Sequence, residues 1–362
     1  MKLITPEFLE ALYGIRTVGK FQIAKELAEL LREDLRSVLI RINTLLKARY
    51  FYFTVDYSLS NLGLKLAVII TDKDLLTESS AKFMKFLRAV VYAFPDKRFY
   101  SLYIPVDMED LSASLKSLEN SVVMEFHERL RNKTSFTTYG IESAFSPESG
   151  FSAESLQKLK RFVEVVITES QGKETESKNK VPFDALDLGI IKELEKDAFI
   201  KQVDIAKALG ISVGKLRRHA RNHVPYLIKG IRLMSLPIYP AALGTSLLVS
   251  VKSRDAAVIK GLCEALTTHP TVVSCGYRID RGLGLAQFVT PFSMIKYIVE
   301  FLESAGREYG FEVLRDKMWL LNVEFGKRFT LPYKRWVEYV PKMSWNVDEL
   351  RRIFSGFKGE VN

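Results

Sequence analysis

The chain has 362 residues, 47% of them hydrophobic, which is enough to bury more than one core, since domains usually run ~100–200 residues. Its formal net charge is +10, and the excess is concentrated: residues 201–232 hold eight Lys and Arg against one Asp, and residues 14–49 hold eight against four acids. Its longest apolar runs, such as LKLAVII at 64–70, fall far short of the ~20 residues of a membrane span, and MKLITPEF lacks a signal-peptide core, so a membrane partner is excluded and a cytoplasmic, nucleoid-associated location is expected.

In chain order, Thr5 to about Tyr13 reads as a short helix with Phe8, Leu9 and Leu12 on its apolar side. FQIAKELAELL and REDLRSVLIRINTLLKARY follow as two more helices, the second capped by Asp34. Residues 50–133 read as strand (NLGLKLAVIITD), helix (ESSAKFMKFL), hairpin (AVVYAF and RFYSLYIP around Pro95-Asp96-Lys97), helix (MEDLSASLKSL) and closing strand (SVVMEFHERL). An amphipathic helix led by Phe151 then precedes SQGKETESKNK at 170–180, a polar stretch read as a flexible linker.

From residue 184 the same order returns. Asp184 or Asp187 is placed to cap a helix bearing Leu188, Ile191 and Leu194. A short helix with Ile205, Ala206 and Leu209 ends at Gly210, where a residue without Cβ permits a tight turn. Ser212 caps a third helix that runs to about His223 with Lys215, Arg217, Arg218 and Arg221, interleaved with Asn222 and two histidines and with no acid. Helix, helix, turn and basic helix are the parts of a helix-turn-helix. IAKEL at 23–27 matches IAKAL at 205–209, and Leu62-Gly63 matches Leu243-Gly244, so the unit is written twice at a spacing near 181. Ala28 stands where Gly210 stands, with extra residues lengthening the first connection.

The expected fold class is therefore α+β: two copies of a winged helix-turn-helix followed by a ferredoxin-like βαββαβ domain, each with a C-terminal helical tail. The corresponding divisions are 1–50 and 183–232 for the helix-turn-helices, 51–133 and 233–321 for the ferredoxin-like domains, 134–182 for a helical tail and linker, and 322–362 for an aromatic and basic tail with Trp336, Tyr339, Trp345 and Phe354. The DxxD...IIxxL opening at 184–194, IAxxLGIS at 205–212, the IKGIR...YPAALG passage at 228–244 and the hairpin beginning HPTVVS resemble the Lrp/AsnC family of transcription regulators. That resemblance implies a DNA-binding helix-turn-helix and a βαββαβ domain that dimerises and binds an amino-acid effector. It places Ser212, Lys215, Arg217, Arg218, Arg221 and Asn222 toward DNA, with Arg32, Arg36 and Arg41 doing so in the first copy. The family's Gly-x-x-Asp hairpin turn is replaced by Pro95-Asp-Lys-Arg and Asp280-Arg-Gly-Leu-Gly, so an amino-acid effector is not expected to bind in the usual way.

Other chemistries find less support. Gly282-Leu-Gly284 lies between two strands and reads as a hairpin turn, not a nucleotide loop. His219 and His223 have metal-ligand spacing on one helix, but they sit among arginines, so a phosphate or base contact is expected in place of a metal. Cys263 and Cys275 lack CxxC spacing and read as buried small apolar residues, although the low Gln content (five) suggests a thermophilic source, where an intracellular disulfide can persist. Siroheme decarboxylases are built of similar units, but their HNYxRxxxxNLWF hairpin pattern has no counterpart here. The expectation is a sequence-specific, double-stranded DNA-binding transcription regulator that forms an Lrp-type pseudo-dimer within one chain. No enzymatic activity, cofactor or metal is expected, and further homodimerisation through sheets or tails is open. A protein-binding adaptor on the same fold is the alternative, with a siroheme-decarboxylase-like enzyme behind it.

Overall fold

The computed structural model describes residues 5–47, 51–75, 86–93, 96–106, 121–140, 152–170, 182–235 and 244–328. Three helices open the chain: α1 (Pro6–Ala11), α2 (Lys20–Leu31) and α3 (Leu35–Lys47). Thr5 caps α1 by accepting from the Phe8 N–H, and Phe8, Leu9 and Leu12 are buried as expected. Asp34 accepts from the Ser37 N–H at the start of α3. The extra residues expected to lengthen the first connection instead extend α2 past the position matching Leu209, so the turn falls at Arg32, which takes the left-handed conformation (φ 54°) that Gly210 takes later in the chain.

The second set of helices comes later in the chain, after α4 (Phe136–Tyr139) and α5 (Ala153–Ser170), and comprises α6 (Ala185–Lys196), α7 (Gln202–Leu209), α8 (Val213–Asn222) and α9 (Val224–Leu227). A single strand leaves each helical set: β1 (Phe51–Tyr57) from the first and β7 (Ile228–Ser235) from the second. They pair antiparallel with each other from Phe51↔Ser235 to Tyr57↔Ile228, with an irregularity at Asp56/Tyr57. Neither strand forms a hairpin wing of its own among the described residues; the ribbon is shared, and it ties the two helical sets together.

Among the described residues nine more strands form one sheet in the order β5-β2-β4-β3-β11-β8-β10-β9-β6. Its first half is β2 (Leu64–Thr71), β3 (Leu87–Ala93), β4 (Lys97–Pro105) and β5 (Val122–Phe126). Its second half is β8 (Gly244–Ser253), β9 (Val272–Arg278), β10 (Leu283–Pro291) and β11 (Phe311–Arg328). Counted along the chain within each half, both halves show the order fourth, first, third, second. The expected single strand SVVMEFHERL is split at His127 into β5 and β6 (Glu128–Arg131), and β6 crosses to pair with β9. β11 behaves likewise, pairing with β8 and then with β3. β5 and β6, contiguous in the chain, thus stand at opposite ends of the strand order, so one segment ties the two outer edges of the sheet together.

One apolar core joins both helical sets to the ribbon and to the inner faces of the sheet, through residues such as Phe8, Phe53, Leu188 and Leu248. A second lies under α10 (Ala256–Leu266) and α11 (Ile295–Tyr309), where Leu159, Val163 and Ile167 of α5 also pack. Cys263 of α10 and Cys275 of β9 meet here, and their sulfurs are joined in a disulfide, which corrects the reading of two free buried thiols. The expected helices at 78–87 and 108–118, the linker at 170–180 and the tail beyond Arg328 fall largely or wholly outside the described residues.

The ribbon is fitted to the first helical set at Gly230, where a Cβ would lie 1.9 Å from the Tyr13 carbonyl oxygen. Backbone must move to admit any side chain there. Gly230→Ala is therefore expected to lower stability by about 2 kcal/mol or more, read as a lower urea midpoint with unchanged slope.

Candidate nucleic-acid interface

The second helical set is built by local signals that agree with one another. Asp184 accepts from the Leu186 and Asp187 N–H groups while Asp187 accepts from the Asp184 N–H, a capping box that fixes the start of α6. Gly210 takes φ 66°, and the Ile211 N–H closes on the Ala206 carbonyl at 3.0 Å. Ser212 accepts from the Lys215 N–H at 3.2 Å and starts α8.

α8 buries Leu216, His219 and Ala220. Lys215, Arg217, Arg218, Arg221 and Asn222 are all exposed, and so is Ser212, whose hydroxyl is already engaged as the cap. The outward face is thus four cations and an amide with no acid. α3 differs at the matching places. Counted from its cap, Asp34, the positions of Leu216 and His219 are held by Val38 and Arg41, both buried. Arg41 does not face outward: it donates to Glu33 at 3.0 Å and lies over the Phe8 ring, so its assignment to DNA is corrected. Arg32 and Arg36 are exposed, but the positions of Arg217 and Arg218 are taken by Leu39 and by Ile40, which is 49% exposed.

His219 and His223 also require correction, because their imidazoles face inward. The fully buried Asp187 carboxylate accepts from Nδ1 of His219 at 2.9 Å and Nδ1 of His223 at 3.0 Å. The ligating atoms of these three residues lie within 4.8 Å of one another, so the trio could hold a cation. Its contacts as they stand form a hydrogen-bonded clamp from α6 onto α8. Burial raises the Asp187 pKa, and the hydrogen bonds from Asp184, His219 and His223 oppose that shift.

At its other end α6 carries Glu195, also buried, which accepts from the Tyr57 hydroxyl at 3.1 Å and pairs with Arg88 and, at 3.6 Å, with Arg131. Tyr103 lies in the same cluster: burial pushes its phenol up, but Arg129, Arg131 and Arg88 together pull it down to about 7. This charged cluster has no signature in the sequence, since its members sit at positions scattered over more than a hundred residues.

Residues 183–222 match a family described as winged helix-turn-helix DNA-binding. No curated protein matches the chain. Two solved structures match over 92% of this chain and 96% of theirs, each at 13% identity: siroheme decarboxylase NirDL with an iron-uroporphyrin III analogue (TM-score 0.48), and the same decarboxylase alone (TM-score 0.46). Both are structures of an enzyme, and that finding overturns the expectation that the chain is not one. Among the described residues no helix is long and apolar enough to cross a membrane.

Two outcomes follow. His219→Ala removes one of the two imidazoles that satisfy the buried Asp187 carboxylate, so it should cost about 2 kcal/mol or more in urea denaturation. Ultraviolet difference titration should show one phenol ionising near pH 7, far below the ordinary ~10, and that step should vanish in Tyr103→Phe.

Proposed function

We propose that this chain is a double-stranded DNA-binding transcription regulator of the Lrp/AsnC kind, a tandem duplication in which one chain supplies both halves of a pseudo-dimer. The observation that carries the DNA reading is the outward face of α8, where Lys215, Arg217, Arg218, Arg221 and Asn222 are exposed together on a helix locked by Ser212 and the Asp187 clamp. The helix-turn-helix match at 183–222 agrees with it. The fourth-first-third-second strand order in both halves supports the ferredoxin-like reading, and the paired β1 and β7 support a pseudo-twofold between the two units.

In this reading α8 enters the major groove. Arginine and lysine neutralise phosphates, and those side chains that reach base edges, typically Arg to guanine and Asn222 to adenine, select the sequence. α3 contributes phosphate contacts from Arg32 and Arg36 only, so the two halves of the site are read unequally. The exposed Phe21, Leu30 and Ile40 of the first helical set favour, as a second reading, use of that surface against another protein.

Binding of genomic fragments by wild type and by a Lys215→Ala, Arg217→Ala, Arg221→Ala triple variant tests the proposal. Wild type should select particular fragments, with affinity falling steeply as salt rises. The folded triple variant should lose on the order of a hundredfold and show a shallower salt slope. Arg41→Ala should lower stability and leave affinity per folded molecule unchanged. Equal binding by wild type and triple variant would sink the reading.

A further inference from the structure

Beneath the β1/β7 ribbon, between the inner faces of the two sheet halves, lies a cavity of 290 Å³. Its walls are apolar on the sheet side, with Leu66, Val91, Phe99 and Leu285 among them. Arg88, Arg129, Arg131 and Arg232 converge on it from β3, β6 and β7, and the only acid in its lining is Glu195. Asp56 adds a second carboxylate, 3.6 Å from Arg131. Four guanidinium groups thus face two carboxylates and the Tyr103 phenol, to which Arg129 and Arg131 donate.

The imbalance is borne by particular atoms. Arg88 spends one nitrogen on Glu195, while its Nε and Nη1 are buried with no hydrogen-bond partner. Arg232 is only 3% exposed, its Nε is likewise unpartnered, and its guanidinium forms no ion pair among the described residues. Burial first, and then the neighbouring Arg131, push Arg232 down to about 9, below the guanidinium range. A buried cation without an anion is costly, and proteins normally pair it. A buried, apolar-walled cavity with surplus guanidinium groups has the donor geometry that receives carboxylates two bonds at a time.

We infer that this cavity is a binding site for a small dicarboxylate, whose two charges are met by Arg88 and Arg232 and whose carbon body lies against Leu66, Val91, Phe99 and Leu285. The volume is just under the ~300–1,000 Å³ of small-molecule sites, which suits a compact ligand. The apolar walls favour a carbon skeleton over inorganic phosphate, which would leave them without a partner. An incoming carboxylate competes with Glu195 for Arg88. Glu195 stands on α6, whose opposite end holds α8 through Asp187, so occupancy of the cavity is also expected to alter DNA affinity. This last clause rests on the DNA reading above; the binding site itself does not.

Calorimetric titration of the full chain with glutarate, adipate and phthalate, against butyrate and inorganic phosphate, tests the inference. At least one dicarboxylate should bind with one-to-one stoichiometry, and butyrate and phosphate at least about tenfold more weakly. Arg232→Gln should lose that binding while the ligand-free protein melts no lower than wild type, because the variant removes a buried cation that forms no ion pair among the described residues. Ala89→Leu, which fills the cavity and leaves every arginine in place, should lose the binding too. No saturable binding by any of the three dicarboxylates would overturn the inference, as would phosphate binding as tightly as they do, or Arg232→Gln lowering the melting temperature without affecting binding. DNA affinity measured with and without the bound dicarboxylate is a separate readout. Ligand binding without any DNA binding would sink the regulator and leave the site standing.

Discussion

Helix α6 is held at both ends by buried charge, and the arrangement of the rest of the molecule depends on that grip. Near its start, Asp187 holds the two imidazoles of α8; near its end, Glu195 holds Arg88, Arg131 and the Tyr57 hydroxyl. Between them Leu188, Ile191 and Leu194 fill the core shared with the ribbon and the first helical set. Neither carboxylate can be moved into apolar surroundings cheaply, so each fixes its neighbours with a penalty for misplacement. The basic helix is therefore oriented from its buried side, by contacts that leave every outward cation free for a partner.

The two halves of the chain keep the same scaffold and diverge at the surface. Arg41 and His219 occupy equivalent buried places, seven residues after the caps Asp34 and Ser212, and each answers a carboxylate: Glu33 for the arginine, Asp187 for the histidine. Outward, arginines in α8 are replaced by Leu39 and Ile40 in α3. The two helical sets therefore present unequal faces. Strand exchange reinforces the union, since β6 and β11 each leave their own half to pair with the other.

Much of this was legible in the sequence where the cause is local. Caps at Asp34, Asp184 and Ser212, the Gly210 turn and the hairpins all rest on residues within a few positions of one another, and they stand where they were expected. Features that depend on which face meets which neighbour were not legible. Arg41 resembles its exposed neighbours in composition, and only the packing of α3 on Phe8 turns it inward. Cys263 and Cys275 are brought together by a helix crossing a strand, which spacing alone does not disclose. The arginines at 88, 129, 131 and 232 converge only once two sheet halves and the ribbon have closed around them. The extra turn of α2 was hidden because Arg32 takes a left-handed conformation that favours glycine, so the usual marker of a helix end was missing.

The most direct test of the central claim, that one chain presents two helix-turn-helices of which α8 does most of the reading, is a hydroxyl-radical footprint on a selected DNA fragment. The account predicts an asymmetric site, strongly protected around one major groove and weakly protected about one helical turn (~34 Å) away. A perfect inverted repeat with two equally protected halves would contradict it.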